Sequence, residues 1–382
     1  MKRSTDRILT THTGSLPRTA QLFALWRARK AGTQALDAGF RAVVGTAVSE
    51  TVRRQVQGGI DVVSDGEQGK PDYSTYIKDR LTGFDGEPVN LGPTREQADF
   101  PDYSAALPGL KGGRPSGPAC TGPVAWKDFA AVEREVANLK AAVAATPPAG
   151  EAFMSAVSPC QAARFMPNRY YRTDEEYLST LAKVLSAEYR AIADAGFILQ
   201  LDCPDLASGW NNQYRDLTVP EFRKAIAMHV EVLNESVKGI PADRMRMHLC
   251  WGNYEGPHNH DIPLREIIEP ILKARPAGIS FEGANPRHAH EWKVFRDVRL
   301  PEGKVLIPGV IDSTTNFVEH PELVAERICN YASVAGRENV IAGTDCGFAT
   351  SALDDMIFPS VAWAKLGSLA EGARLASKIL WP

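Results

Sequence analysis

The feature that most constrains what this chain can fold into is an alternation. Eight short apolar, β-branched runs recur along it: Ile8–Thr13, Ile60–Asp65, Phe153–Ser158, Phe197–Asp202, Met245–Cys250, Ala277–Glu282, Lys304–Val310 and Asn339–Asp345. Between them lie stretches with apolar residues at three- and four-residue spacing, as in Tyr177, Leu181, Val184 and Leu185, the period of a helix buried on one face. These patterns cover Ala35–Gly58, Asp174–Gly196, Val219–Gly239, Leu264–Ala274, Pro321–Gly336 and about Pro359–Leu380. Start and stop signals bracket them. Thr173-Asp174-Glu175-Glu176 and His320-Pro321-Glu322 read as helix starts, and Gly196 and Gly336 as helix ends. Eight β/α units predict an α/β fold of the (β/α)8 TIM-barrel type rather than an open doubly wound sheet. The 382 residues read as one such domain over 1–382, because barrels of this kind run past about 250 residues as a single unit.

One interval breaks the alternation. Residues 66–150 hold no clear βα unit and are rich in Pro and Gly, as in Phe100-Pro101-Asp102-Tyr103 and Lys111-Gly-Gly-Arg-Pro-Ser-Gly-Pro118. They predict a long insertion after strand 2, lying over the barrel mouth, with one helix at Lys127–Ala145. Insertions of this length are usually functional.

Charge and composition narrow the partners. With 43 Lys+Arg against 46 Asp+Glu, the formal charge is −3, without the basic excess of a nucleic-acid binder. A hydrophobic content of 44% with 23% charged residues excludes wholesale disorder. Apolar runs fall far short of the roughly 20 residues needed to cross a bilayer, and Met1-Lys-Arg-Ser-Thr-Asp-Arg7 leads into no apolar signal region. Six cysteines are too few for a disulfide scaffold and read as core residues, ligands or nucleophiles. The expectation is a cytoplasmic enzyme acting on small molecules, with no nucleic-acid or membrane partner and its oligomeric state open.

Chemistry concentrates at the strand ends, which in a (β/α)8 barrel converge on one face. His248 and Cys250 are two apart in a strand, so both side chains point the same way. Glu282 ends the next strand and Cys346 follows the last. Imidazole, thiolate and carboxylate together suit Zn2+. The spacing leaves a second reading open, because cysteine is among the most buried residue types and often serves packing. His258-Asn-His260 and His288-Ala-His290 are further pairs, but they sit beyond the strand ends or in a predicted helix beside Arg287, Glu291 and Lys293, a composition typical of solvated surface. A supporting or substrate-contact role fits them better than metal binding.

The residues His248-Leu-Cys250-Trp, Ile279-Ser-Phe-Glu282, Pro308-Gly-Val-Ile-Asp312 and Gly343-Thr-Asp-Cys346-Gly-Phe follow one another in an order that resembles the catalytic barrel of the cobalamin-independent methionine synthase family. Thr10-Thr-His-Thr-Gly14-Ser15-Leu-Pro17, Ala195-Gly-Phe-Ile-Leu-Gln200-Leu-Asp202 and Ala362-Trp-Ala-Lys-Leu366 are similar to that family too. The likeness runs from about residue 8 to 370 and is weak over 70–150. It implies a (β/α)8 barrel whose His248, Cys250, Glu282 and Cys346 bind a catalytic Zn2+ and whose activity is methyl transfer to a thiol such as homocysteine. It also implies that Glu67 and Asp202 hold the substrate ammonium. By position, Gly14 and Ser15 would offer donors to a substrate carboxylate. Asp202, Asp312 and Asp345 are the acidic catalytic candidates, the last two for proton supply or for orienting His248.

The donor set makes chemical sense. A free thiol near pKa 8.5 is only slightly ionised at neutral pH, whereas a thiol on zinc is deprotonated outright. Two thiolates and a carboxylate leave the site at −1, and the carboxylate Glu282 is the ligand expected to exchange. Departures from the family are the absent N-terminal barrel, Cys203 where the family has Glu, and the segment Glu67–Asp72. They keep a second reading in view, epoxyalkane:coenzyme M transferase-like opening of epoxides, in which Lys70, Arg164 and Arg169 would meet a sulfonate. A third is a zinc-free, decarboxylase-like barrel. The alkyl donor, a methylated folate among the options, and the thiol acceptor are not fixed by the sequence.

Overall fold

The computed structural model of the chain describes residues 1–106, 115–353 and 356–382. Ten strands are present among them: β1 Leu9–Thr10, β2 Val63–Ser64, β3 Pro88–Asn90, β4 Pro115–Pro118, β5 Ala152–Val157, β6 Ile198–Asp202, β7 Met245–His248, β8 Gly278–Phe281, β9 Val305–Ile311 and β10 Ile341–Thr344. Eight of them form one parallel sheet in the order β1-β10-β9-β8-β7-β6-β5-β2. The amides of Asp61 and Val62 both donate to the carbonyl of Thr10, joining the two outer strands and curling the sheet into a barrel. The expected (β/α)8 fold is thus observed, and all eight predicted strands are present.

The strands are shorter than the apolar runs for a physical reason. At β1, side chains replace the backbone ladder. Asp61 Oδ2 accepts the Thr10 amide at 2.9 Å, Thr11 Oγ1 donates to Val62 O at 3.0 Å, and Thr13 Oγ1 donates to Thr344 O at 2.9 Å. Every residue of β5, β6, β8 and β9 is buried, as expected for a parallel sheet covered on both sides.

Helices stand where the periodicity placed them. Asp174–Asp194 starts on Thr173, whose hydroxyl accepts the Glu176 amide at 3.2 Å, with three acids in its first turn. Its Leu181 and Leu185 are fully buried, each worth roughly 1.5–3 kcal/mol against exposure. Pro321–Ala335 begins on His320 Nδ1, which accepts the Glu322 amide at 3.2 Å. Two helices carried no clear sequence signal. Ala20–Lys30 buries only Leu22 and Trp26, and Pro159–Phe165 is too short for its period to show.

The interval after β2 is more structured than its composition indicated. Tyr76–Asp79 forms a 3-10 turn, β3 and β4 pair antiparallel, and Arg95–Asp99 and Pro101–Ala106 are short helices. Pro101 is accommodated because a first-turn residue needs no N–H partner. The predicted helix at Lys127–Ala145 begins at Ala130. Residues 111–114 of the Gly-rich stretch lie outside the described residues. Among the described residues, no helix is long and apolar enough to cross a membrane.

Candidate metal centre

Alternation along β7 builds the site's inner wall. Arg246, His248 and Cys250 are successive even positions, and all three are buried. At the outermost level, His248, Cys250 and Cys346 bring one donor atom each to within 4.8 Å of the others. The sulfurs of Cys250 and Cys346 lie 3.2 Å apart, unoxidised. Glu282, one residue beyond β8, puts Oε1 3.8 Å from the Cys346 sulfur. The same oxygen accepts the Trp251 amide at 2.7 Å, and Oε2 accepts from Asn285 Nδ2 at 3.3 Å.

The electrostatics are those of a cluster short of positive charge. The bond from Cys346 holds the Cys250 thiol below its ordinary range despite burial, while Cys346 itself is driven well up by that same bond and by burial. Burial and the neighbouring Cys250 push the Glu282 carboxyl up to about 8. His248 is lowered to about 3 by burial and by Arg246, so its ring is neutral and free to coordinate. Its buried Nδ1 has no hydrogen-bond partner, an arrangement that costs roughly 1–3 kcal/mol unless a ligand fills it. Two thiols, a neutral imidazole with an orphaned nitrogen and a buried carboxylate fit a soft-to-borderline dication such as zinc.

Below the cluster the barrel interior is polar. Arg246 donates to Gln200 Oε1 at 2.7 Å, Thr11 Oγ1 at 2.8 Å and His12 O at 2.7 Å, with its guanidinium 3.4 Å from the centre of the Phe153 ring. Gln200 in turn donates to Asp202 Oδ1 at 2.8 Å. Neither Arg246 nor Gln200 stood among the sequence candidates. The period-two spacing that pairs His248 with Cys250 also points to Arg246, and it pairs Gln200 with Asp202.

The cluster opens into a cavity of about 600 Å³, whose lining includes Ser15, Glu67, Asp202, Tyr254 and, from the interval after β2, Glu96 and Tyr103. Glu67 sits at a left-handed φ of 56° and accepts from Ser155 Oγ at 2.7 Å, with its Oε2 buried and unpartnered. Gly14 is required beneath it, since a Cβ there would meet Glu67 Oε1 at 2.6 Å. The Gly14 amide is already given to His12 Nδ1 at 3.2 Å. Burial and the adjacent Glu67 drive Asp202 well above the usual carboxylate range. The Ser15 hydroxyl accepts the Ala349 amide at 3.4 Å, just beyond Cys346.

Asp312 and Asp345 are placed differently from each other. Asp312 Oδ1 accepts the Thr314 amide and hydroxyl, both at 2.8 Å, and so shapes its own turn. Asp345 accepts the amides of Gly283 (2.8 Å), Ala284 (2.9 Å) and Asn285 (2.6 Å), the turn directly after Glu282. Of the basic residues weighed for a sulfonate, Lys70 is buried beside the Tyr76 ring and donates to Ser155 O, and Arg169 is exposed. Arg164 lines the cavity and donates to Ser208 Oγ at 2.7 Å and Asn212 Oδ1 at 2.8 Å.

One expectation is overturned. His258 and His288 are not on a solvated surface; each is 2% exposed. Glu291, read as part of a charged helix face, turns inward to accept from His288 and from the Leu264 amide.

The chain is thus an α/β barrel protein with a thiol–imidazole–carboxylate cluster at the mouth formed by its strand ends. It is 24% identical over 369 residues to a methionine synthase of Thermococcus kodakarensis, covering 96% of this chain and 93% of that one. It is 25% identical over 376 residues to a methionine synthase of Saccharolobus islandicus, covering 97% and 95%. A B12-independent methionine synthase from Shewanella sp. W3-18-1, in complex with selenomethionine, shares its fold with a TM-score of 0.74 at 20% identity, covering 98% and 99%. A putative vitamin-B12-independent methionine synthase from Listeria monocytogenes gives a TM-score of 0.64 at 20% identity, covering 96% and 98%. No family model matches the chain. The resemblance to the cobalamin-independent methionine synthase family is borne out. These relatives are matched over nearly their own full length.

Proposed function

We propose that this protein is a zinc-dependent methyltransferase of the methionine synthase type, passing a methyl group to the sulfur of homocysteine. The observation that carries the reading is the convergence of His248, Cys250 and Cys346 beside Glu282, at the inner end of a cavity whose wall holds Glu67 and Asp202. His248, Cys250, Cys346 and Glu282 would hold the zinc, which when bound keeps an acceptor thiol ionised at neutral pH. Glu282 would be the donor to exchange, since carboxylate oxygen is the hardest donor of the four. Glu67 Oε2 and Asp202 receive the substrate ammonium. Burial and the neighbouring Glu67 raise the Asp202 carboxyl, and an arriving cation favours its ionised form. Ser15 faces the substrate carboxylate, and Glu96 and Tyr103, from the described part of the interval after β2, wall the cavity and narrow the path for the donor.

A sulfonated thiol is the weaker reading. Lys70 is enclosed among acids and Arg169 lies outside, which leaves Arg164 as the one basic group of the three that lines the cavity. The test is to incubate zinc-loaded protein with homocysteine or coenzyme M and a panel of methyl and epoxide donors, followed by product mass spectrometry. Methionine formation supports the proposal. Turnover of coenzyme M alone, or of no thiol, overturns it.

A further inference from the structure

Behind the loop that follows Cys250 lies a buried chain of alternating acids and histidines. Glu291 Oε2 is 2.8 Å from His288 Nδ1, and His288 Nε2 is 3.1 Å from Asp261 Oδ2. The same Asp261 oxygen is 2.7 Å from His258 Nδ1, and His258 Nε2 is 3.0 Å from the carbonyl of Tyr254. All four side chains are at most 4% exposed.

The hydrogen bonds fix where the protons are. A carbonyl oxygen only accepts, so His258 Nε2 must donate to Tyr254. An ionised carboxylate also only accepts, so His258 Nδ1 and both nitrogens of His288 must donate as well. A ring that donates from both nitrogens is an imidazolium. Burial opposes both charges, but the bonds from Asp261 outweigh it, raising His258 to about 9 and, with Glu291, His288 to about 10. The same two bonds hold Asp261 below its ordinary range against burial.

Both cations bear on the ligand loop. The Trp251 ring lies 4.3 Å from the His288 ring at 34°, and the Tyr254 ring stacks on His258 at 4.4 Å and 23°. Trp251 is the neighbour of Cys250, and its amide is the donor to Glu282 Oε1. Glu96 faces His258 from the segment after β2, its carboxylate within 4.8 Å of the ring nitrogen and of Asp261.

We propose that His258 and His288 are a pair of buried imidazolium cations that act as positioning residues. They clamp the Trp251–Tyr254 loop through cation–π contact, and their positive charge offsets the excess negative charge of two thiolates and Glu282 on one dication. The second role rests on the metal reading proposed above; the protonation itself does not.

Two measurements test it. Long-range 1H–15N NMR of the wild-type protein at pH 7.5 should show both ring nitrogens of His258 and His288 protonated. An unprotonated nitrogen in either ring overturns the pair. Zinc affinity is then measured by chelator competition. His288→Gln should weaken zinc binding roughly 10- to 100-fold, the range for groups that support metal ligands. Glu291→Gln removes a negative charge from the same chain and should bind zinc at least as tightly as wild type, whatever it does to Tm. If both variants lose affinity alike, the role is packing alone and the electrostatic proposal fails. Should His288→Gln not fold, His258→Gln replaces it. A wild-type protein that holds no zinc overturns both the metal reading and the charge-offset role, while the NMR result still decides the protonation.

Discussion

Asp345 fixes the backbone that carries Glu282 without any hydrogen bond to the Glu282 side chain. Its carboxylate takes the three amides that follow Glu282, and it lies so close over β9 that a Cβ on Gly309 would meet Oδ1 at 2.0 Å. The turn after Glu282 is therefore shaped by a residue adjacent to Cys346, so two of the converging donors are set by one anchor. Asp345→Asn keeps an oxygen for two of the amides but turns an NH2 toward the third. Urea unfolding should show a loss of about 1–3 kcal/mol. An unchanged midpoint would show that the anchor contributes nothing.

Cys250→Ser and Cys346→Ser should each lose zinc, because a hydroxyl is a poor substitute for a thiolate. Glu282→Ala should retain the metal better than either, since three protein donors remain. Elemental analysis of the three purified variants checks the order, and full zinc occupancy in both serine variants would refute the ligand assignment.

With Asp202 in the proposed ammonium-binding role, Asp202→Asn should remove a charge-assisted contact worth roughly 1.5–3 kcal/mol. That corresponds to roughly a 10- to 150-fold loss in kcat/KM for homocysteine. Activity toward coenzyme M, which has no amine, should not fall. Equal losses for both thiols would remove Asp202 from the ammonium site.

Stability should pass through a maximum at about pH 6.5. His12 accepts the Gly14 amide on Nδ1 and is lowered to about 3 by burial, so its unfolded form binds the extra proton and stability falls as pH drops below about 6.5. His258 and His288 shift the other way, to about 9 and about 10. Their contribution is complete below the unfolded value of about 6.5, declines above it and is gone once pH has climbed through 9 and 10, on the order of 3 kcal/mol for His258 and about 5 kcal/mol for His288. Thermal melting from pH 5 to 10.5 at constant ionic strength should peak at about pH 6.5 and decline from there to pH 10. A Tm that holds level or rises between pH 7 and 10 would contradict the cationic pair.

The barrel was legible because its signals are local. Apolar runs, helical periods and caps such as Thr173 all act within a few residues. The converging donors were legible too, since strand ends meet on one face whatever the details. What stayed hidden depends on partners distant in sequence. His258 and His288 sit among charged neighbours, and it is Asp261, whose Oδ2 accepts from a nitrogen of each, together with Glu291, that turns that composition inward. The strand at Pro115–Pro118 likewise exists because Pro88–Asn90 pairs with it across a Gly-rich stretch.

Cys250 and Cys346 meet across 96 residues of chain, and β8, β9 and β10 must all be laid down before their sulfurs can approach. The thiol pair therefore cannot exist in a nascent or partly folded protein, which spares the cell a reactive dithiol until the last strand docks. Contacts of such long range form late and slowly. Ion capture by this centre would accordingly mark the end of folding rather than nucleate it, and a chain stalled before β10 would bind the ion weakly or not at all.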